Sequence, residues 1–267
     1  MDSIFRYYGS KRLLRFEILK RLPKRFSEFR ECMLGSGAIA LALAGLKVRT
    51  WVNDLDSHLI ASWRAIRDRP DDMVQKLLAI EHCATGESTA NGKISRIIDA
   101  AIEELSWDHD DGVRFFLANR IVHGGRVQYD KPNRMHITTP QYFNESAIMR
   151  IKQISAVIQH WSITCGDFAS LLLTPGDDVV GYVDSPYYKY AAMPPNAQLY
   201  AKSFTPEDHE RLAAVAHQSP HRLLISYDDH PEVHRLYRDW RIERVPARYL
   251  SNGKVVNELL IRNYPLR

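Results

Sequence analysis

The residues best suited to chemistry lie in Val179-Val180-Gly181-Tyr182-Val183-Asp184-Ser185-Pro186-Tyr187-Tyr188, where an apolar, β-branched run ends in a carboxylate, a proline and two tyrosines. In an open α/β sheet, ligands sit just beyond the carboxyl ends of the strands. A strand over 179–183 would therefore deliver Asp184 and Tyr187 to the rim of such a crevice. A carboxylate that can grip an amino group, beside a ring that can stack on a base, suits chemistry on a nucleobase.

Two other segments offer binding chemistry of a related kind. Gly35-Ser36-Gly37 stands between a short strand and an apolar helix, where a ligand can approach the backbone near a positive helix end. Asp54 ends the next strand, 17 positions after Gly37, where an acid can accept both ribose hydroxyls of a nucleoside ligand. Ala40 stands where the third glycine of a G-x-G-x-x-G turn would fall, which leaves a nicotinamide-dinucleotide enzyme as an alternative. Asp167-Phe168 follows a third β-rich run. Its carboxylate could accept from an adenine amino group with the ring against the base, or it could cap a helix beside a core phenylalanine.

The elements that must position these residues follow a βαβα order, the signature of a wound α/β sheet. A helix is expected over 13–22, ended by Pro23, then a strand over 29–33 and a helix over 38–44 that Gly45 is placed to cap. A strand over 48–53 and a helix over 57–68, stopped by Pro70, come next. From Asp71 the character changes: helical segments reach Trp107 and cover 113–121, with a polar stretch over 85–92. Residues 122–140 are rich in Gly, Arg, Asn and aromatic residues and suggest a hairpin or long loop. Residues 71–141 thus read as an inserted, mostly helical domain within a main domain of 1–70 and 142–267. Beyond it, a helix over 145–160 returns to the Asp184 strand. Pro194-Pro195-Asn196 marks a loop, and a helix over 205–216 and a strand over 223–226 follow. Two late β-rich runs, 241–249 and 255–261, flank Asn252-Gly253 and read as an antiparallel hairpin.

At 267 residues, with 45% hydrophobic and 25% charged residues, the chain has the composition of a soluble globular protein. No run approaches the roughly 18 apolar residues of a membrane span, and Met1-Asp2-Ser3-Ile4-Phe5-Arg6 lacks the apolar core of a signal peptide. Cys32, Cys83 and Cys165 are odd in number, widely separated and without metal-ligand spacing, so a reducing cytoplasm and no metal are expected. Net charge is only +4, yet residues 112–152 carry seven cations against two anions. A local basic surface of that kind can hold phosphates with salt-sensitive affinity.

Five motifs occur in order along most of the chain: Tyr7-Tyr8-Gly9-Ser10-Lys11, Glu31-Cys32-Met33-Leu34-Gly35-Ser36-Gly37, Asn53-Asp54-Leu55-Asp56, Gly166-Asp167-Phe168 and Asp184-Ser185-Pro186-Tyr187. Together they resemble the Dam-type family of adenine-specific DNA methyltransferases, which use S-adenosylmethionine. Phe204-Thr205-Pro206-Glu207-Asp208-His209, Ser226-Tyr227-Asp228 and Lys254-Val255-Val256-Asn257-Glu258-Leu259-Leu260 are similar to that family's later segments. The resemblance implies a doubly wound, Rossmann-like methyltransferase sheet with a C-terminal antiparallel hairpin. It implies that Tyr7 and Lys11 hold the cofactor's methionine end. Glu31 and the Gly35-Ser36-Gly37 turn would line its approach, with Asp54 at its ribose and Asp167 and Phe168 at its adenine. Asp184, Ser185, Pro186 and Tyr187 would form the catalytic segment, with Asp184 also bordering the cofactor. An adenine flipped out of duplex DNA would be the acceptor, and no metal would take part.

The inserted segment resembles the family's recognition domain through Asn119-Arg120, His123-Gly124-Gly125-Arg126 and Ile137-Thr138-Thr139-Pro140. Arg114, Asn119, Arg120, His123, Arg126, Lys131 and Arg134 are the candidate DNA contacts, with GATC one target such a hairpin could read. Three departures from the family pattern stand out: Ser185 in place of the first proline of Asp-Pro-Pro-Tyr, Cys32-Met33 in place of Pro-Phe, and Gly124-Gly125 in place of Asn-Gly. Methylation of cytosine or RNA, or a catalytically weak binding homologue, are the alternatives. A monomer or weak dimer is expected, encoded by a bacterium, an archaeon or a phage. It would act beside a restriction endonuclease, alone as a regulator, or as a protector of phage DNA.

Overall fold

A computed structural model describes residues 3–7, 9–46, 48–85, 110–122, 142–191, 204–248 and 255–266, with 92, 93, 96, 97, 100, 101, 125 and 127. Among these residues seven strands form one sheet: β1 (Glu28–Glu31), β2 (Arg49–Asp54), β3 (Ser162–Cys165), β4 (Val179–Asp184), β5 (Arg222–Asp228), β6 (Arg241–Arg248) and β7 (Val255–Arg262). Their order is β3-β2-β1-β4-β5-β7-β6. β1 pairs in parallel with β2 and β4, and β4 with β5, whereas β7 runs antiparallel to both β5 and β6. This is the wound α/β sheet with a C-terminal hairpin that the sequence predicts, and the strand order reverses between β1 and β4. A crevice at such a reversal is where this architecture binds ligands. Val179 to Val183 are all buried, as befits a central parallel strand.

Among the described residues, the α-helices with both ends placed are α1 (Arg15–Leu19), α2 (Ala38–Leu43), α3 (Ser57–Asp68), α4 (Pro70–Cys83), α5 (Asp111–Ile121), α6 (Glu145–Ile158), α7 (Phe168–Leu173), α8 (Pro206–Gln218) and α9 (Pro231–Leu236). Helix α3 has the expected bounds because the Asp56 side chain accepts from the His58 and Leu59 N–H groups and fixes its start. Helix α8 opens with a capping box between Thr205 and Asp208, with Pro206 in the first turn. Pro70 does more than end α3, since it also opens α4 from a first-turn position that needs no N–H. Helix α1 is shorter than the expected 13–22, and Leu14 gives its start no side-chain cap. The left-handed cap expected at Gly45 is not formed, and helix α9, only six residues long, escapes any periodicity reading.

Contacts divide the chain into two compact units. The first comprises Met1–Ser10, Gly35–Gly37 and Asp56–Ile163. Its core stacks Phe5 edge-on against Trp63 and Phe115, with centroids 5.0 and 5.6 Å apart. This unit runs wider than residues 71–141 because α3 and α6 pack against α5 and α4 and supply part of its interior. The second comprises Lys11–Leu34, Ala38–Leu55 and Thr164–Arg267, with a core built on Phe168, Leu171, Leu223, Ile225, Tyr227 and Leu259. No helix among the described residues is long and apolar enough to cross a membrane.

Candidate active site

Strand register brings the acids together within the second unit. Glu31, at the end of β1, stands opposite Val52 of β2 on one side and Tyr182 of β4 on the other. Asp54 and Asp184 each follow two residues further along those flanking strands, so three carboxyl groups crowd the carboxyl edge of the sheet. Glu31 is buried and its carboxyl is pushed well above the usual carboxylate range, first by loss of water and then by the charges of Asp184 and Asp54. A hydrogen bond from the Ala40 N–H, at 2.8 Å, acts in the opposite direction. A crowded set of acids suits a ligand that brings positive charge and hydroxyl groups.

Asp184 is held on one oxygen and open on the other. Its Oδ1 receives the Lys11 ammonium at 2.6 Å and the Ser226 hydroxyl at 3.1 Å. The Ser226 hydroxyl in turn accepts from the Tyr182 hydroxyl at 2.9 Å. Burial, followed by the Asp184 charge, raises Tyr182 well above the usual phenol range, so that hydroxyl keeps its proton. Among the described residues Asp184 Oδ2 has no hydrogen-bond partner. Lys11 is buried and also reaches Glu258 Oε1 at 3.1 Å. Burial opposes its charge, but Asp184 and then Glu258 outweigh that, and Lys11 is held well above its usual range. The resemblance implies Lys11 at the cofactor's methionine end; in the structure its ammonium lies against two protein carboxylates.

The rest of the candidate catalytic segment turns inward. Ser185 is buried, and its hydroxyl donates to the Ser226 carbonyl at 3.3 Å, a bond that a proline in its place would lack. Tyr187 is only 5% exposed, and its hydroxyl donates to Glu258 Oε1 at 3.2 Å. Its ring lies nearly parallel to that of Tyr190, 13° apart in plane and 6.3 Å between centroids. Lys11 and Lys189 each place an ammonium 5.0 Å from the ring centre.

Other candidate residues fall elsewhere. Within the first unit, Gly35 and Gly37 take positive φ angles of 46° and 64°, and the Tyr7 ring lies against Gly35 so closely that a Cβ there would come within 3.2 Å of it. Ser36 shares a 2.8 Å hydroxyl contact with Ser10. Asp167 caps α7 by accepting from the Ala169 N–H, and both its oxygens receive the Arg211 guanidinium, at 2.6 and 2.9 Å. That bond lowers the Asp167 carboxyl below its usual range. Arg211 also lies 4.6 Å over the Phe168 ring. Asp167 therefore has the helix-capping geometry that the sequence offers as its second reading.

Among the candidate DNA contacts, Asn119 and Arg120 face the protein interior. Asn119 accepts from the Arg6 N–H at 2.9 Å and donates to the Arg6 and Gly125 carbonyls at 2.8 and 3.0 Å. Gly125 is required there, since φ is +72° and any Cβ would meet the Arg6 carbonyl oxygen at 1.9 Å. Arg120 donates to the Ile4 carbonyl at 2.5 Å, and burial, then Arg150 and Arg6, lower it to about 10. Arg114 is half-buried in α5. His123, Arg126, Lys131 and Arg134 lie outside the described residues, as do the Pro194-Pro195-Asn196 loop and the Asn252-Gly253 turn.

Sequence reasoning did not single out Glu258, Ser226, Tyr182 or Asp228 as site residues. The available signal is that each interrupts or ends an apolar strand with a polar side chain that is nonetheless buried.

The match to known proteins covers nearly the whole chain. The family model for D12 class N6 adenine-specific DNA methyltransferase matches residues 7–250. The chain is 24% identical to the type II methyltransferase M1.LlaDCHI of Lactococcus lactis subsp. cremoris, over 97% of this chain and 94% of that one. It is 24% identical to the DNA adenine methylase of Escherichia coli K12, over the same shares of each chain. Type II methyltransferase M.MjaIII of Methanocaldococcus jannaschii is 21% identical over 99% of both. The sheet, the acids at its carboxyl edge and this end-to-end match agree: the chain belongs to the D12 class of N6 adenine-specific DNA methyltransferases.

Proposed function

We propose that the protein transfers a methyl group from S-adenosylmethionine to N6 of an adenine turned out of duplex DNA, at the carboxyl edge of β1, β2 and β4. The observation that supports this reading is the register of β1, β2 and β4, which sets Glu31, Asp54 and Asp184 at neighbouring positions along the carboxyl edge of the sheet. The donor set fits: a sulfonium and an α-amino group are cationic, a ribose offers hydroxyls, and three crowded carboxyl groups accept both. When bound, the cofactor supplies an electrophilic methyl group.

The chain's own residues must make a poor nucleophile competent, because the N6 electron pair of adenine is delocalised into the ring. Asp184 Oδ2 and the Ser185 carbonyl can each accept one amino hydrogen. Holding both hydrogens favours a pyramidal nitrogen whose electron pair points at the methyl carbon. Positioning and electrostatics then supply most of the acceleration. Lys11 and Ser226 occupy Oδ1 and so leave Oδ2 as the oxygen that faces the substrate. Transfer would form the N6–carbon bond as the methyl–sulfur bond breaks and the thioether leaves; the Asp184 carboxylate would stabilise the cationic amine until its surplus proton passes to solvent. Tyr187 stacking on the extruded base would offset part of the flipping cost, on the order of 1–3 kcal/mol. Its buried ring requires Tyr190 and Lys189 to shift as the base enters. The cations of 112–152 other than the buried Arg120 are the proposed holders of DNA phosphates.

Incubating the protein with S-adenosylmethionine and matched DNA and RNA oligonucleotides, followed by nucleoside mass spectrometry, tests the reading. N6-methyladenine in the DNA alone is expected. N4-methylcytosine, or methylated RNA without methylated DNA, would contradict it.

A further inference from the structure

Asp228 of β5 and Glu258 of β7 stand directly opposite one another in the antiparallel ladder, and both are buried. Like charges in that arrangement destabilise a sheet, and burial adds to the cost. Each carboxylate is nevertheless supplied with donors, and most of those donors come from the segment that follows Asp184. Asp228 Oδ1 accepts from the Tyr188 N–H at 2.7 Å, and Oδ2 from the Lys189 N–H at 3.1 Å. Glu258 Oε1 accepts from the Tyr187 hydroxyl at 3.2 Å and from the Lys11 ammonium at 3.1 Å. Lys11 is the same cation that grips Asp184. The Tyr188 ring is further packed between the imidazoles of His230 and His209, with centroids 4.6 and 4.8 Å away.

We infer that the Asp228–Glu258 pair forms a rear clamp for the catalytic segment, and that both are positioning residues for methyl transfer. Asp228 fixes the main chain just after Tyr187. Glu258 fixes the hydroxyl end of the Tyr187 ring and, through Lys11, the orientation of Asp184. Neither residue touches the substrate. The clamp rests on the reading of Asp184 and Tyr187 given under the proposed function. It accounts for an opposed acid pair that folding alone would disfavour.

Glu258→Gln keeps the shape and one acceptor oxygen but removes the charge that shares Lys11 with Asp184. It also replaces a carboxyl that burial pushes above its usual range with a neutral amide, so Tm should stay at or above that of the wild type. We expect kcat to fall roughly 10- to 100-fold, the scale of a small misplacement of reacting groups. KM for S-adenosylmethionine and for DNA should stay within about threefold, the split expected when a group acts only on the transition state. A purely structural role would instead lower Tm and leave the turnover of folded molecules unchanged. Tyr187→Phe removes the hydroxyl that Glu258 holds, so Glu258→Gln should cost less in that background than alone. Asp228→Asn, which sets an amide N–H against a backbone N–H, should also lower kcat and serves if Glu258→Gln fails to fold. Wild-type-like kcat in both acid variants, a loss confined to KM, or fully multiplicative losses with Tyr187→Phe would overturn the clamp. Wild-type transfer in the same assay separates the two claims: an active wild type with unaffected variants removes only the clamp, and an inactive one removes the underlying reading as well.

Discussion

At the scale of single residues, the site is set by how unlike environments divide similar carboxyl groups. Asp184 is paired with a buried lysine, Asp167 with a half-exposed arginine, and Glu31 with a backbone N–H. Because the Glu31 carboxyl titrates higher in the folded chain than unfolded, the folded state binds the extra proton between the two values. Stability from that proton is present below the unfolded value and is lost as pH rises through the folded one. Glu31→Gln keeps an acceptor for the Ala40 N–H and removes the ionisation. It should therefore raise Tm near pH 8 by roughly 2–4 °C, corresponding to about 1 kcal/mol in a chain of this size, while weakening cofactor binding several-fold. Thermal melts at pH 5 and pH 8 with cofactor titration check this, since a variant less stable at pH 8 than the wild type would refute the sign. Asp184 and Asp54 were legible at this scale because a strand end delivers its side chain to a known place. Lys11 was legible only through the family resemblance, because a lysine in a loop reads as solvated until Asp184 and Glu258, far away in sequence, close around it.

At the scale of elements, local chemistry was readable wherever the signal was itself local. Pro70 after α3, Thr205-Pro206 ahead of α8 and Asn252-Gly253 between the hairpin strands all announced boundaries near those observed. The long-range roles were not readable: Asn119 lies in a plausible recognition motif, yet its amide spans the Arg6 peptide and the Gly125 carbonyl. That geometry predicts a stability phenotype for Asn119. Asn119→Ala removes the hydrogen bonds that Asn119 makes to three backbone groups, one buried and two part-buried, and should cost about 2–3 kcal/mol. The salt dependence of DNA binding by the folded fraction should remain unchanged. Urea unfolding and binding at several ionic strengths test both halves; a reduced salt slope with unchanged stability would return Asn119 to the DNA surface.

At the scale of the whole molecule, the sheet order and the family match point the same way. An order that reverses between β1 and β4 opens a crevice at their carboxyl ends. Three acids meet there, and the match to adenine-specific DNA methyltransferases spans residues 7–250. The architecture was legible because βαβα order and a terminal hairpin admit few topologies. The unit boundaries were less so, because α3 and α6 belong by sequence spacing to the sheet and by packing to the first unit. The central claim is that Asp184 accepts an amino hydrogen of adenine beside the cofactor's methyl group. Its most direct test is single-turnover transfer from labelled S-adenosylmethionine to duplex DNA by wild type and by Asp184→Asn. The account predicts labelled adenine with the wild type and a loss of roughly 100-fold or more with the variant, with DNA and cofactor dissociation constants within about threefold. Transfer at the wild-type rate by Asp184→Asn would contradict it.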